Sequence, residues 1–374
     1  MLGLPVYFRA DDAIYLSWAH NHSIFDVFRP STAILIGVFR PVQNLVWWLL
    51  YHLFGLNPYP YQLLLAGLFV GSMYFLFKII QREEIIFPGI LAVIAFFAPF
   101  HFLLYFLFWY SDLTFAIELF FLTGSVFFLI SGLNGQYDKL LWGVLFSLIS
   151  FFSKEPSVII IPASLWFYII GHWKEVKLNN RIKLILLVST PLVPLLFLKL
   201  FPYAFDRAAS FPSTDLAETV SYLRTRYEFY GYRLMGFPTG VILLVCTVFL
   251  VVNKVLQLSV RSKNLRSGVE VGSVLLAIVS AAVIYPHTGI AYTIFFVSII
   301  FTALCYLRIS YAIVWFVLPF LLLLSVEFIS QTYLLEAIYG LAIVLAFALS
   351  KLLNVSMLLF QKLFGKFPSG ERSW

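Results

Sequence analysis

Long apolar runs separated by short charged connections fill most of the chain. Apolar stretches close to the roughly 17–22 residues that carry a helix across ~30 Å of hydrocarbon fall near 61–80, 88–108, 113–131, 140–153, 157–172, 184–201, 237–254, 269–285, 290–307, 311–329 and 336–352. The pattern predicts an all-α, polytopic transmembrane helical bundle of about eleven helices. Residues 32–57 do not fit a simple span, because Arg40-Pro41 interrupts the run and Trp47, Trp48, Tyr51 and His52 give it an interfacial composition. Helices lying on the outer leaflet are expected there.

Composition agrees with this solvent: 61% of residues are hydrophobic, 11% charged and 19% aromatic, and the mean hydropathy is +0.93, outside the range of a soluble domain. The net charge of +7 does not point to nucleic acid, because the basic residues sit in the connections. The connections on one side, which include Lys78–Glu84, Lys139, Lys174–Lys183, Lys254–Arg266, Arg308 and Lys351–Arg372, hold sixteen of the 25 Lys and Arg but six of the 18 acids. The other side keeps nine and twelve. The positive-inside rule then puts the C-terminus in the cytoplasm and the first acidic residues outside a plasma or inner membrane. An outside N-terminus calls for N-out insertion or for a twelfth helix upstream, and no cleavable signal pattern precedes the acids. Cys246 and Cys305 lie in apolar runs and read as small buried hydrophobes.

Internal repeats, a common mark of transporters, are not apparent. The long hydrophilic connection at 202–235 is external, so chemistry is expected among the outer loops and the helix ends beneath them. A helix over 11–22 would place Asp11, Tyr15, Trp18 and His22 on one stripe, with Asp12 turned by ~100°. An acid bordered by aromatics can act as a general base beside a sugar ring; the alternative is a pair of helix caps. The run at 140–153 spans only ~21 Å as helix, which leaves Lys154 and Glu155 below the outer surface. There Lys154 suits a phosphate, with Glu155 orienting it, against the alternative of an ion pair at a hairpin tip. Asp112 ends a stripe with His101, Tyr105 and Phe108, and its alternative is a cap of the next helix. His101 lines that stripe, and Glu118 reads as a buried structural acid.

Further cations are Arg40 beside Pro41, and Arg226 and Arg233, which share a helical face with Tyr230 in an Arg/Tyr-rich segment that also carries Arg224. They suit a clamp on a phosphate head group, or an anchor on lipid phosphates. No HExxH, CxxC or DxD spacing occurs, so no obligatory metal or cofactor is expected. The lack of a Gly-rich phosphate loop disfavours nucleotide donors.

Four features together carry a resemblance: the acidic pair Asp11-Asp12, the Arg40-Pro41 step, the run LFGLNP at 53–58 before a long helix, and Ser153-Lys154-Glu155 followed by Pro156. This set resembles the GT-C superfamily of integral-membrane glycosyltransferases. It is most similar to the branch of protein O-mannosyltransferases, bacterial aminoarabinose transferases and related polyprenyl-phosphate-sugar enzymes. The resemblance covers about residues 5–175 and makes 1–175 a catalytic core whose first outer loop is 1–60, with 176–374 as further transmembrane helices. It implies a polyprenyl-phosphate sugar as donor substrate, used at the extracytoplasmic face on a lipid, glycan or protein acceptor. Asp11 or Asp12 would serve as base, Asp112 would orient the acceptor, and Tyr15, Trp18, His22 and His101 would line the substrate. Lys154, Glu155, Arg40, Arg226 and Arg233 would surround the donor phosphate. A flippase of an amphiphilic glycolipid and a non-catalytic scaffold on the same fold are the competing readings.

Overall fold

The computed structural model describes residues 8, 10–29, 39–83, 112–154, 156–200, 221, 225, 239–259, 263–284, 288–325 and 335–364. Among them every regular element is helical. The α-helices are α1 (Ala10–Asn21), α2 (Pro41–Phe54), α3 (Pro58–Arg82), α4 (Leu113–Leu133), α5 (Asp138–Phe151), α6 (Ser157–Gly171), α7 (Asn180–Ser189), α8 (Leu192–Leu200), α9 (Thr239–Ser259), α10 (Lys263–Ile284), α11 (Thr288–Cys305), α12 (Ser310–Ser325) and α13 (Leu335–Phe364). Short 3-10 turns lie at Ile24–Phe28 and Leu307–Ile309.

Local chemistry explains the boundaries. Pro41 and Pro58 occupy the first turns of α2 and α3, where a missing N–H costs nothing, so a helix begins at the Arg40-Pro41 step. Asn57 caps α3 by accepting from the Tyr59 amide at 3.2 Å. Gly55, with φ at 56°, ends α2 in a conformation that side chains disfavour. The single span expected over 184–201 is instead two short helices, α7 and α8, parted at Pro191. Proline cannot donate to the carbonyl four residues back. That carbonyl, Leu187 O, accepts from the Trp166 indole at 3.0 Å.

Among the described residues four helices can cross a membrane by length and apolarity: Pro58–Arg82, Leu113–Leu133, Gly240–Leu258 and Ala337–Met357. The pair Thr293–Cys305 and Leu307–Pro319, bent by 109°, adds a fifth if it counts as one span. The segment expected at 88–108 lies outside the described residues. Helix α4 is the central element, with 83% of its apolar window buried against 39% for α3. It packs parallel to α3, where Gly71 meets Phe120 and Arg82 donates to Ser131 Oγ. It packs antiparallel to α5, where Ser125 and Ser147 share a hydrogen bond and Gly143 faces Leu129. Small residues at these contacts let the backbones approach closely.

Helices α2 and α5 are inside-out. On α5, Gly143, Ser147 and Ser150 are buried while Leu141, Trp142 and Leu148 are exposed; on α2, Gln43 and Asn44 are buried while Leu49, Leu53 and Phe54 are exposed. Such a surface suits hydrocarbon and not water. Of the polar side chains of α2, Gln43 and Asn44 are buried and His52 is exposed. Cys246 is buried, Cys305 is partly so, and both are free thiols.

Candidate functional site

Two of the sequence motifs meet through the backbone. The Val42 amide, two residues after Arg40, donates to Phe152 O, two residues before Lys154, at 3.3 Å. The start of α2 is thereby joined to the turn between α5 and α6. That turn is built by Ser150, whose carbonyl accepts from the Ser153 and Lys154 amides at 3.0 and 3.1 Å.

Lys154 is 2% exposed, and its Nζ lies 3.4 Å from Oε2 of Glu118, which is fully buried. Ser157 donates to the other Glu118 oxygen at 2.7 Å, Ser150 donates to Ser157 at 2.8 Å, and the ammonium sits 3.5 Å from the Phe115 ring centroid. A buried ion pair persists when the carboxylate and a ring face replace the ammonium's water and hydroxyls replace the carboxylate's. Glu118 stands six residues beyond Asp112, about 9 Å along α4, so Lys154 is recessed from that helix end. Asp112 itself is 5% exposed at the N-cap of α4.

The acidic pair begins α1, which runs beside α2 in the same sense: Tyr15 stacks on Trp47 with centroids 4.9 Å apart, and His20 Nδ1 lies 2.8 Å from Tyr51 OH. One turn back along both helices come Asp12 on α1 and Gln43 and Asn44 on α2. Asp12 is fully buried, sharing its face with Tyr15, Leu16 and Ala19. The side chain of Asp11 lies outside the described residues. Trp18 and His22 stack on each other at 4.9 Å, and the Trp48 indole donates to His22 O at 3.0 Å. Together with Val27 they form a satellite core that holds α1 on α2.

Asp12, Tyr15, Arg40, Asp112 and Lys154 thus stand on elements that converge at one end of the bundle, with Trp18 and His22 on the flank of α1. Glu155, His101, Arg226 and Arg233 lie outside the described residues. The carboxylate at Lys154 among the described residues is that of Glu118, a pairing that no local spacing announces. No group of three potential metal-binding side chains occurs among the described residues.

A second polar cluster closes the opposite end. Glu83, just past α3, receives Arg308 Nε at 2.8 Å and the Tyr311 hydroxyl at 3.3 Å, with His172 Nε2 at 3.4 Å. His172 stacks on Tyr168 at 4.1 Å, and Asn134 Nδ2 donates to the Tyr168 hydroxyl at 2.8 Å. Burial pushes the Glu83 carboxyl pKa up, but the His172 ring and the Arg308 guanidinium outweigh it and leave the value below the ordinary one. The sequence carries a signal for this cluster only in retrospect, in Glu83, His172 and Arg308 at three separate element ends. No protein-family model, curated protein or solved structure matches the chain.

Proposed function

We propose that the protein is a GT-C-type integral-membrane glycosyltransferase of about eleven spans. It moves a sugar from a polyprenyl-phosphate carrier to an acceptor outside the cytoplasmic membrane. The observation that supports this reading is the Val42–Phe152 hydrogen bond, which joins the start of α2, where Arg40 stands, to the turn that carries the buried Lys154.

In this reading the acceptor oxygen attacks the anomeric carbon while Asp12, with Asp11 beside it in sequence, takes its proton. The bond from the anomeric carbon to the phosphate oxygen breaks, and its electron pair leaves with polyprenyl phosphate. Lys154 and Arg40 hold that developing charge in surroundings that exclude water. Arg226 and Arg233 add to the clamp from the connection at 202–235, Glu155, next to Lys154 in sequence, orients it, and Asp112 orients the acceptor. No metal is required, because a carboxylate and fixed cations supply the charges that the transfer needs.

The test is release of free polyprenyl phosphate from a panel of radiolabelled polyprenyl-phosphate sugars by the protein in nanodiscs. Wild type should release it, and Asp12→Asn should lower the rate by about 100-fold or more. Net movement of intact donor across the bilayer without release would favour the flippase instead.

A further inference from the structure

Helix α2 carries a polar stripe where an apolar face would be expected. Arg40, Gln43, Asn44 and Trp47 recur at i, i+3, i+4 and i+7, the spacing of one helix face. Gln43 is 2% exposed, Asn44 3% and Trp47 fully buried, while the opposite face exposes Leu49 and Leu53. Gln43 Nε2, Asn44 Nδ2 and Trp47 Nε1 have no hydrogen-bond partner among the described residues. Thr114 Oγ1, two residues beyond Asp112, has none either. Buried threonines deeper in the bundle, Thr123, Thr247 and Thr302, all bond the carbonyl four residues back, at 2.6, 2.9 and 2.7 Å.

Each buried donor without an acceptor costs about 1–3 kcal/mol. An interior Leu at 43 or 44 would avoid that cost, so the amides are best understood through a ligand that completes them. Side-chain amides both donate and accept, as sugar hydroxyls do, and an aromatic cluster of Tyr15, Trp47 and Tyr61 borders them, with ring centroids 4.9 and 5.4 Å apart. None of these groups is charged. The turn that carries Lys154 bonds to Val42, and Arg40 ends the stripe about 4.5–6 Å along the axis from the two amides. That is the scale of one sugar ring joined to its phosphate.

We infer that Gln43, Asn44 and Trp47 form the subsite for the uncharged, hydroxyl-rich sugar of the lipid-linked donor. The inference rests on the glycosyltransferase reading for the identity of the donor but is tested by binding. The full-length protein in nanodiscs is titrated with polyprenyl phosphate and with its glucose, mannose and galactose derivatives, and thermal unfolding and polyprenyl phosphate release are measured in parallel. Wild type should bind at least one sugar-bearing lipid more tightly than the bare phosphate. Asn44→Leu and Gln43→Met should each shrink that preference about fivefold to tenfold, leave affinity for bare polyprenyl phosphate within about twofold, and melt no lower than wild type. The last expectation distinguishes a ligand site from a structural one, because removing an unsatisfied polar group does not destabilise the fold. Equal affinity of wild type for bare and sugar-bearing lipid, or full preference retained in both variants, overturns the subsite. Preference without any release keeps the subsite and removes the transfer reaction; release with the preference intact in both variants keeps the reaction and removes the subsite.

Discussion

Lys154 shows how one buried charge constrains its neighbours. Removing Glu118 alone leaves an ammonium 2% exposed with one fewer countercharge, and Glu118→Ala is expected to destabilise the protein by about 3–5 kcal/mol. Replacing both partners, as in Lys154→Met with Glu118→Leu, should recover most of that loss, because the cost comes from the stranded charge. Thermal unfolding of the two single variants and the double variant in detergent measures the coupling; additive losses would refute it. If Lys154 holds the donor phosphate, the recovered double variant stays inactive. The DD pair is a second residue-scale lesson. Helical phase aligns Asp11 with Tyr15, Trp18 and His22, but it does not tell that the neighbouring Asp12 is fully buried, because the position of α2 decides which side of α1 is covered.

At the scale of elements, close backbone contacts set where side chains are tolerated. Gly171 ends α6 against Leu307 O and the Arg308 backbone, and a Cβ there would fall inside contact distance of fixed main-chain atoms. Gly171→Ala should therefore destabilise by about 1–3 kcal/mol, although alanine is the better helix former. Gly67 in α3 has nothing within 4 Å of an added Cβ, and Gly67→Ala should stabilise by up to about 1 kcal/mol. Opposite signs in the two melting temperatures are the check. Helix lengths were largely legible in the apolar runs: the stretches at 61–80, 113–131 and 157–172 correspond to Pro58–Arg82, Leu113–Leu133 and Ser157–Gly171. The run at 184–201 was misjudged because hydropathy averages over Pro191, while hydrogen bonding does not.

Across the whole molecule, polar groups gather at the two ends of the α3–α4–α6 core. The Glu83 cluster ties α3 to Arg308, to α12 through Tyr311 and to the end of α6 through His172, and its bonds to Arg308 and Tyr311 join segments more than 200 residues apart in the chain. The folded-state pKa of Glu83 is depressed, so its contribution to stability is present above the ordinary carboxylate range and is lost as pH falls through the lowered value. Acidification should therefore unfold wild type more steeply than Glu83→Gln, which starts less stable and lacks this titration. Melting curves recorded across the acidic range test this; parallel curves would show that the carboxylate makes no such contribution.

The sequence by itself determined the solvent and the helices: apolar runs with charged connections allow little else, since unpaired backbone in hydrocarbon is too costly. It also placed Asp12, Arg40, Asp112 and Lys154 among the residues of interest, because ionisable groups stand out in an apolar chain. Tertiary structure alone decided that Glu118 is the acid at Lys154, that Gln43 and Asn44 face inward, and that Glu83, His172, Tyr311 and Arg308 form one cluster. Hydrophobicity is a property of each residue and can be read locally. Pairing depends on which helices are neighbours, and that is settled only when small residues such as Gly124 and Gly143 let particular backbones come together.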